Sequence, residues 1–367
     1  ALTEAQKRVV REIHSDLRSG RQMNRLLQGD VGSGKTMVAT LTCLLALDNG
    51  FQACIMAPTE ILAEQHYKGI AAQLEELGIR VELLTGNVKG KRRRMVLDAL
   101  ATGEVQVLIG THALIEPGVV FYNLGLCVID EQHRFGSNQR EKINALASGE
   151  LWRDPQLDEA DGEFGGKFKE GEQSNLTEIS PQNRQTKTAD ETRAHVVQFS
   201  ATPIPRTLSM IQSSFAEFSF LRQMPFEKHI HTQILQSADF GELLTHIKAQ
   251  IDKGKQVAVI YPLVESSENS NYQGLEEAQG FWRANFANVY VTHGKDKEKE
   301  QVLREFRERG DVLLSTTVVE VGISLPRLST IVIVGAERLG LASLHQLRGR
   351  VGRNGGSGFC FFFTKLK

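Results

Sequence analysis

Three clusters of residues have the types and spacing that chemistry on a phosphate needs. Gly29-Asp30-Val31-Gly32-Ser33-Gly34-Lys35-Thr36 fits the pattern Gly, four residues, then Gly-Lys-Thr. Glycines let a backbone take positive φ and turn its N–H groups inward around phosphate oxygens, and a following helix N-terminus adds partial positive charge. Lys35 would then reach the β- and γ-phosphates, and the Thr36 hydroxyl would ligate Mg²⁺. The bland alternative is a glycine-rich turn. The second cluster ends the apolar run Leu124 to Ile129 with Asp130 and Glu131. Asp130 is placed to hold Mg²⁺ through its water shell, and Glu131 to orient and deprotonate an attacking water. The third is Gln346-Leu347-Arg348-Gly349-Arg350-Val351-Gly352-Arg353. Arg350 and Arg353, three apart, would share one face of a helix and act as arginine fingers on a γ-phosphate. A grip on a nucleic-acid backbone is the other reading of that basic segment.

These clusters need elements to position them. Met23–Gln28 reads as a strand and Met37–Ala46 as a buried helix, which is the strand, loop and helix context the glycine motif requires. Thr3 is a candidate cap for a first helix with Val9, Val10, Ile13 and Leu17 on one face. Gln6 on that helix has an amide suited to both edges of adenine, or is simply an exposed helical glutamine. Phe51–Ala57, Val81–Leu84, Val105–His112 and Val196–Phe199 read as further strands with polar tips, the last leading into Ser200-Ala201-Thr202-Pro203. Pro225 and its neighbours read as a linker, and a new series follows at 256–262, 289–294, 312–317 and 330–334 without a phosphate loop of its own. Near-continuous apolar strands alternating with helices predict an α/β fold of two tandem domains with parallel sheets, 1–224 and 225–367. The ligand is expected at the strand carboxyl ends, where the topology switches.

Composition narrows the class. The chain has 367 residues, 41% hydrophobic and 24% charged, with a net charge of −1. That charge gives no global argument for nucleic acid, so any such contact must come from local patches. No apolar run approaches a membrane span and no signal peptide is evident, so a cytoplasmic location is expected and no membrane partner. The chain opens at Ala1 directly on a motif, and is expected to be a piece of a longer protein. Cys43, Cys54, Cys127 and Cys360 sit singly in apolar contexts and read as buried free thiols; His229 and His231 lack further ligands, so no zinc is expected. The basic run Lys89–Arg94 reads equally as a phosphate grip or a solvated helix start. The acidic, polar stretch of about 148–193 reads as a surface insertion, with an acidic docking loop as the alternative.

Taken together the motifs resemble the superfamily-two helicases and translocases, and within them the RecG-type DNA helicases. The resemblance rests on the phosphate loop, Ala57-Pro58-Thr59-Glu60-Ile61-Leu62-Ala63-Glu64-Gln65-His66, Asp130-Glu131-Gln132-His133-Arg134-Phe135-Gly136, Ser200 to Leu208, Thr316 to Gly322 and Leu344 to Arg353. It implies two RecA-like domains of the P-loop NTPase fold that use ATP and Mg²⁺ to move on double-stranded DNA and remodel stalled forks and junctions. Gln6 would read adenine; His133, Ser200, Thr202 and Gln346 would couple hydrolysis to motion; Thr59, Thr111 and Thr316 would touch the DNA backbone. The expected partners are branched or double-stranded DNA and a single-stranded DNA-binding protein, with the chain a monomer. The family carries an N-terminal wedge domain and a C-terminal helical hairpin, and this sequence is expected to start after the first and stop before the second. The alternatives are a transcription-coupled repair translocase, for which no RNA-polymerase-binding domain is seen, and a nucleotide-dependent DNA-binding module without turnover.

Overall fold

The computed structural model describes residues 2–30, 32–149, 193–201, 217–221, 229–262, 274–294, 296–316, 324–352 and 356–365. The linker at Pro225, most of the acidic insertion, Val31, Thr202 and Arg353 lie outside these residues.

The first lobe runs α1 (Glu4–Leu17), β1 (Asn24–Gly29), α2 (Lys35–Asp48), β2 (Gln52–Met56), α3 (Glu60–Glu75), β3 (Val81–Leu84), α4 (Gly90–Ala101), β4 (Val107–Gly110), β5 (Leu124–Asp130), α5 (Ser137–Ser148), β6 (His195–Ser200) and β7 (Glu217–Leu221). Its strands form one sheet in the order β3-β4-β2-β5-β6-β1-β7, parallel throughout. All residues of β2 and β5 are buried, because helices cover both faces. On one face Val9, Ile13, Val38, Cys43, Ile70 and Leu74 of α1 to α3 pack together. On the other, Val96, Leu100, Ile143 and Leu146 of α4 and α5 do so.

The second lobe repeats the plan. It comprises β8 (His229–Leu235), α6 (Phe240–Asp252), β9 (Gln256–Tyr261), α7 (Leu275–Asn285), β10 (Val289–Thr292), α8 (Lys299–Arg309), β11 (Val312–Thr316), β12 (Leu328–Val334), α9 (Leu341–Arg348) and β13 (Ser357–Phe363). The order β10-β11-β9-β12-β13-β8 is that of the first sheet without its last strand. The likeness extends to side chains. Gln52 opens β2 and donates to the carbonyls of Leu100 in the last turn of α4 and of Val105 beyond it; Gln256 opens β9 and donates to those of Phe306 in the last turn of α8 and of Gly310, its cap.

Two details bear on the sequence reading. Lys89–Arg94 is a helix start two of whose three arginines are partnered: Arg92 meets Glu82, and Arg93 meets Glu116 at 3.0 Å. The main chain on either side of the acidic insertion is closed by a hydrogen bond from Ala194 N–H to Ala147 O at 2.8 Å. The four cysteines are free and buried. His229 and His231 lie on the outer strand β8, where His231 stacks on Phe359.

Candidate nucleotide site between the lobes

β1 delivers the glycine loop at its carboxyl end, and α2 begins at Lys35. Gly32 and Gly34 both take φ +87°, a backbone conformation a side chain would strain. Gly29 has no room for a side chain either: a Cβ there would stand 2.5 Å from Ser33 Oγ and 2.9 Å from Leu221 Cβ. No side chain caps the start of α2. A helix start without a side-chain acceptor, opened by left-handed glycines, suits an anionic phosphate. Lys35 Nζ lies over the loop, donating to the carbonyls of Gly29 and of Asp30, the latter at 3.1 Å. Ser33 Oγ is buried without a hydrogen-bond partner.

Gln6 is buried rather than an exposed helical residue, at 4% exposure. Its Oε1 accepts from Thr3 N–H at 2.9 Å and Thr3 Oγ1 accepts from Gln6 N–H at 3.2 Å, so Thr3 is the cap expected of it. The Gln6 Nε2 reaches the Gly34 carbonyl at 3.5 Å, bringing α1 to the edge of the phosphate loop.

β5 ends on Asp130, and the next residue turns sharply. Glu131 takes φ 49°, ψ 52°, the one non-glycine with positive φ among the described residues. Such a conformation costs of order 1–3 kcal/mol and persists where surroundings over-determine it. Here β6 does so: Glu131 N–H donates to Phe199 O at 2.8 Å, and Glu131 Oε1 accepts from Ala201 N–H at 2.9 Å. Oε2 is buried and has no hydrogen-bond partner, although His133 Nδ1 stands 3.4 Å away. Burial, and then the Asp130 charge, push the Glu131 carboxyl up to about 7, against the pull of Lys35, the Ala201 N–H and Arg134. Asp130 is buried too, which alone would raise its carboxyl. The hydrogen bond and charge of His66, with Lys35 and Arg134, outweigh burial and hold it below its ordinary value. His133 is lowered by burial and by Arg134.

Sequence reading gives no role to either histidine that matters next. His66 of α3 bonds Asp130 Oδ2 through Nε2 at 2.8 Å, inside the first lobe. His345 of α9 stands 3.9 Å from Asp30 Oδ2, bringing the second lobe to the phosphate loop. Both lie within stretches quoted above, yet nothing in a linear sequence pairs a helix with a strand tip so far away. Around them, Ile61 of α3 packs into the core of the second lobe, Glu64 pairs with Arg304 of α8 at 2.9 Å, and Gln65 Oε1 accepts from Ser324 N–H at 3.0 Å.

The helical premise for the arginines is corrected: α9 stops at Arg348 with Gly349 as its cap. Arg350 follows in a turn, its N–H donating to Leu347 O at 3.1 Å, so it lies past the helix, and Arg353 lies outside the described residues. Gln346 on α9 keeps a buried Nε2 without a partner. Ser200 closes β6 beside Ala201. The three threonines sit differently from one another. Thr59 is half-buried and caps α3, accepting from Leu62 N–H at 3.4 Å. Thr111 and Thr316 are 2% and 5% exposed at the ends of β4 and β11, so a DNA contact through either side chain requires these strand tips to open.

The donor set fits the groups expected. Lys35 and the loop backbone suit a triphosphate, and the Thr36 hydroxyl with the Asp130 carboxylate supply the oxygen ligands a hard cation prefers. No helix of the described residues is long and apolar enough to cross a membrane.

The DEAD/DEAH box helicase family matches residues 3–151, and the helicase conserved C-terminal domain matches residues 239–355. The ATP-dependent DNA helicase RecG of Helicobacter pylori (strain J99) is 42% identical over 363 residues, covering 99% of this chain and 51% of that protein. That of Aquifex aeolicus is 40% identical, covering 98% and 41%. The chain thus spans about half the length of the curated relatives it matches, or less. Among solved structures, RecG bound to a three-way DNA junction is similar with TM-score 0.77 and 35% identity, over 99% of this chain and 43% of that one. Saccharomyces cerevisiae Dbp5 bound to RNA and ADP BeF3, at 18% identity, TM-score 0.60 and coverage of 100% and 84%, shares the fold alone. Since the likeness runs along the whole chain instead of resting on one motif, the chain belongs to the RecG-type helicases, and its two lobes are a pair of RecA-like helicase domains.

Proposed function

We propose that this chain is an ATP-driven motor that moves on double-stranded DNA and, in its whole protein, remodels stalled forks and recombination junctions. The observation that carries the reading is Glu131: a buried carboxylate held by Ala201 with one oxygen unpartnered, within the electrostatic reach of Lys35. In that role Glu131 holds the attacking water and takes its proton, while Lys35 and the loop backbone bind the phosphates. Thr36 and Asp130 would hold Mg²⁺, which when bound withdraws charge from the phosphate oxygens. Arg350 and Arg353 supply charge from the second lobe, and His133, Ser200, Thr202 and Gln346 link the cleft to lobe movement. Gln6 reads the adenine. Branched DNA as partner is supported by the junction complex of the similar RecG.

The test is ATP hydrolysis with no nucleic acid, duplex DNA, forked DNA and RNA, with Lys35→Ala as the blank. DNA stimulation of tenfold or more that disappears in the variant is expected. DNA binding without stimulated hydrolysis would replace the motor with a nucleotide-dependent clamp.

A further inference from the structure

The His66–Asp130 hydrogen bond is not accounted for by the nucleotide site as derived. His66 is buried at 9% exposure, and Asp130 at 8%. An ionised carboxylate only accepts, so Nε2 of His66 carries the proton and donates it to Oδ2. The imidazole therefore fixes the carboxylate's rotation about its last bond, which decides where the other oxygen points. A carboxylate that ligates a cation directly or through its water shell depends on such an outer partner for its aim.

The helix that carries His66 is also the one the second lobe grips. Glu64 meets Arg304, Gln65 Oε1 takes Ser324 N–H, Ile61 lies in the second lobe's core and its N–H is accepted by the Glu300 carboxylate. Residues 61, 64 and 65 lie on one helix face, and Leu62 and His66, four apart, on another that turns into the first lobe. A single rigid stretch of helix thus touches the second lobe with one side and Asp130 with the other. A hydrogen bond is steep in distance and angle, so a small shift of α3 on lobe docking or release is felt at the carboxylate.

We propose that His66 is a positioning residue for Asp130, and that through it α3 transmits the docking of the second lobe to the cation-binding carboxylate. This rests on the nucleotide-site reading above. The test compares His66→Leu, which keeps bulk but cannot donate, with His66→Gln, whose Nε2 restores a donor. Binding of a fluorescent ADP analogue is titrated with Mg²⁺ and repeated in EDTA, and thermal melting reports folding. His66→Leu is expected to raise the Mg²⁺ needed for half-maximal binding about tenfold, the lower end of outer-partner effects, with binding in EDTA unchanged. His66→Gln is expected to recover most of that loss.

A double-mutant cycle with Arg304→Ala tests the transmission. Arg304→Ala alone should shift the Mg²⁺ dependence in the same direction, and should shift it less in the His66→Leu background. A folded His66→Leu with the wild-type Mg²⁺ response overturns the positioning role, as does a His66→Gln no better than leucine. Equal Arg304→Ala shifts in both backgrounds overturn the transmission. If His66→Leu does not fold, His66→Gln and its cycle with Arg304→Ala decide the same points. A wild-type protein whose nucleotide binding ignores both Mg²⁺ and Lys35→Ala would overturn the nucleotide-site reading itself, a different result from any of these.

Discussion

At the scale of single residues, the site turns on a carboxylate held in an uncommon backbone conformation. Glu131 keeps its left-handed φ because Phe199 O and Ala201 N–H bind it on two sides, leaving one oxygen for water. Glu131→Gln retains the hydrogen bond from Ala201 but loses the base. Its turnover should fall by 10²–10⁴, in the range typical of a general base, while ATP affinity stays within a few-fold. Single-turnover hydrolysis beside equilibrium nucleotide binding separates the two; normal hydrolysis would remove Glu131 from this role. The position of this residue was legible in sequence, because an apolar strand ending in Asp-Glu announces a strand tip that carries two carboxylates. His66 was not legible, since a buried histidine on a helix names no partner until the helix is docked.

At the scale of elements, strands that lie between two layers of helix announce themselves as apolar runs, and β2, β5, β9 and β11 were found for that reason. β7 and β8 lie at the edges of their sheets; the sequence of β8, His-Ile-His-Thr-Gln-Ile-Leu, is largely exposed and carries no such signal. β13 carries the apolar run Phe359 to Phe363, a strand signal that the sequence reading above does not include. The paired glutamines Gln52 and Gln256 look like polar strand starts and turn out to tie strand to helix end. Gln256→Leu removes two buried hydrogen bonds and should cost about 2–4 kcal/mol in urea unfolding. Gln52→Leu should cost more, because Gln52 Oε1 also accepts from Asn123 N–H at 2.8 Å. An element-level effect of pH is expected at the start of β6. There His195 Nδ1 accepts from Met23 N–H at 2.9 Å, and burial holds the ring below the ordinary histidine value of 6.5. The unfolded chain binds the proton first, so stability is full above pH 6.5 and falls as pH drops toward the lower pKa of the folded ring. Melting temperatures at pH 7.5 and 5.5 should differ less for His195→Gln than for the wild type.

At the scale of the molecule, two lobes of like strand order meet where His345 approaches Asp30 and along α3, whose Ile61 enters the core of the second lobe. Ile61→Asp would put a charge into the core formed by Leu303, Phe306 and Leu347. An unpaired buried charge is costly enough to favour separation of the lobes. Fluorescence transfer between dyes placed on the two lobes should fall in that variant even with nucleotide bound, and unchanged transfer would show that Ile61 does not hold them together. The doubled architecture was legible as a second series of apolar strands without a phosphate loop. The contact between the lobes was not, because it is made by ordinary surface residues such as Glu64, Gln65 and Arg304.

The bond from Ala194 N–H to Ala147 O gives the first lobe a closed seam where a long polar stretch departs and returns. A chain whose two ends are already pinned together is nearly indifferent to how much polypeptide lies between them, since doubling such a loop costs only about 0.6 kcal/mol. The lobe can therefore carry cargo there: shortening the stretch to a few glycines, or splicing a reporter domain into it, should leave β6, Ala201 and the grip on Glu131 in place. Natural variation in length is free to accumulate at this seam, and so is deliberate engineering.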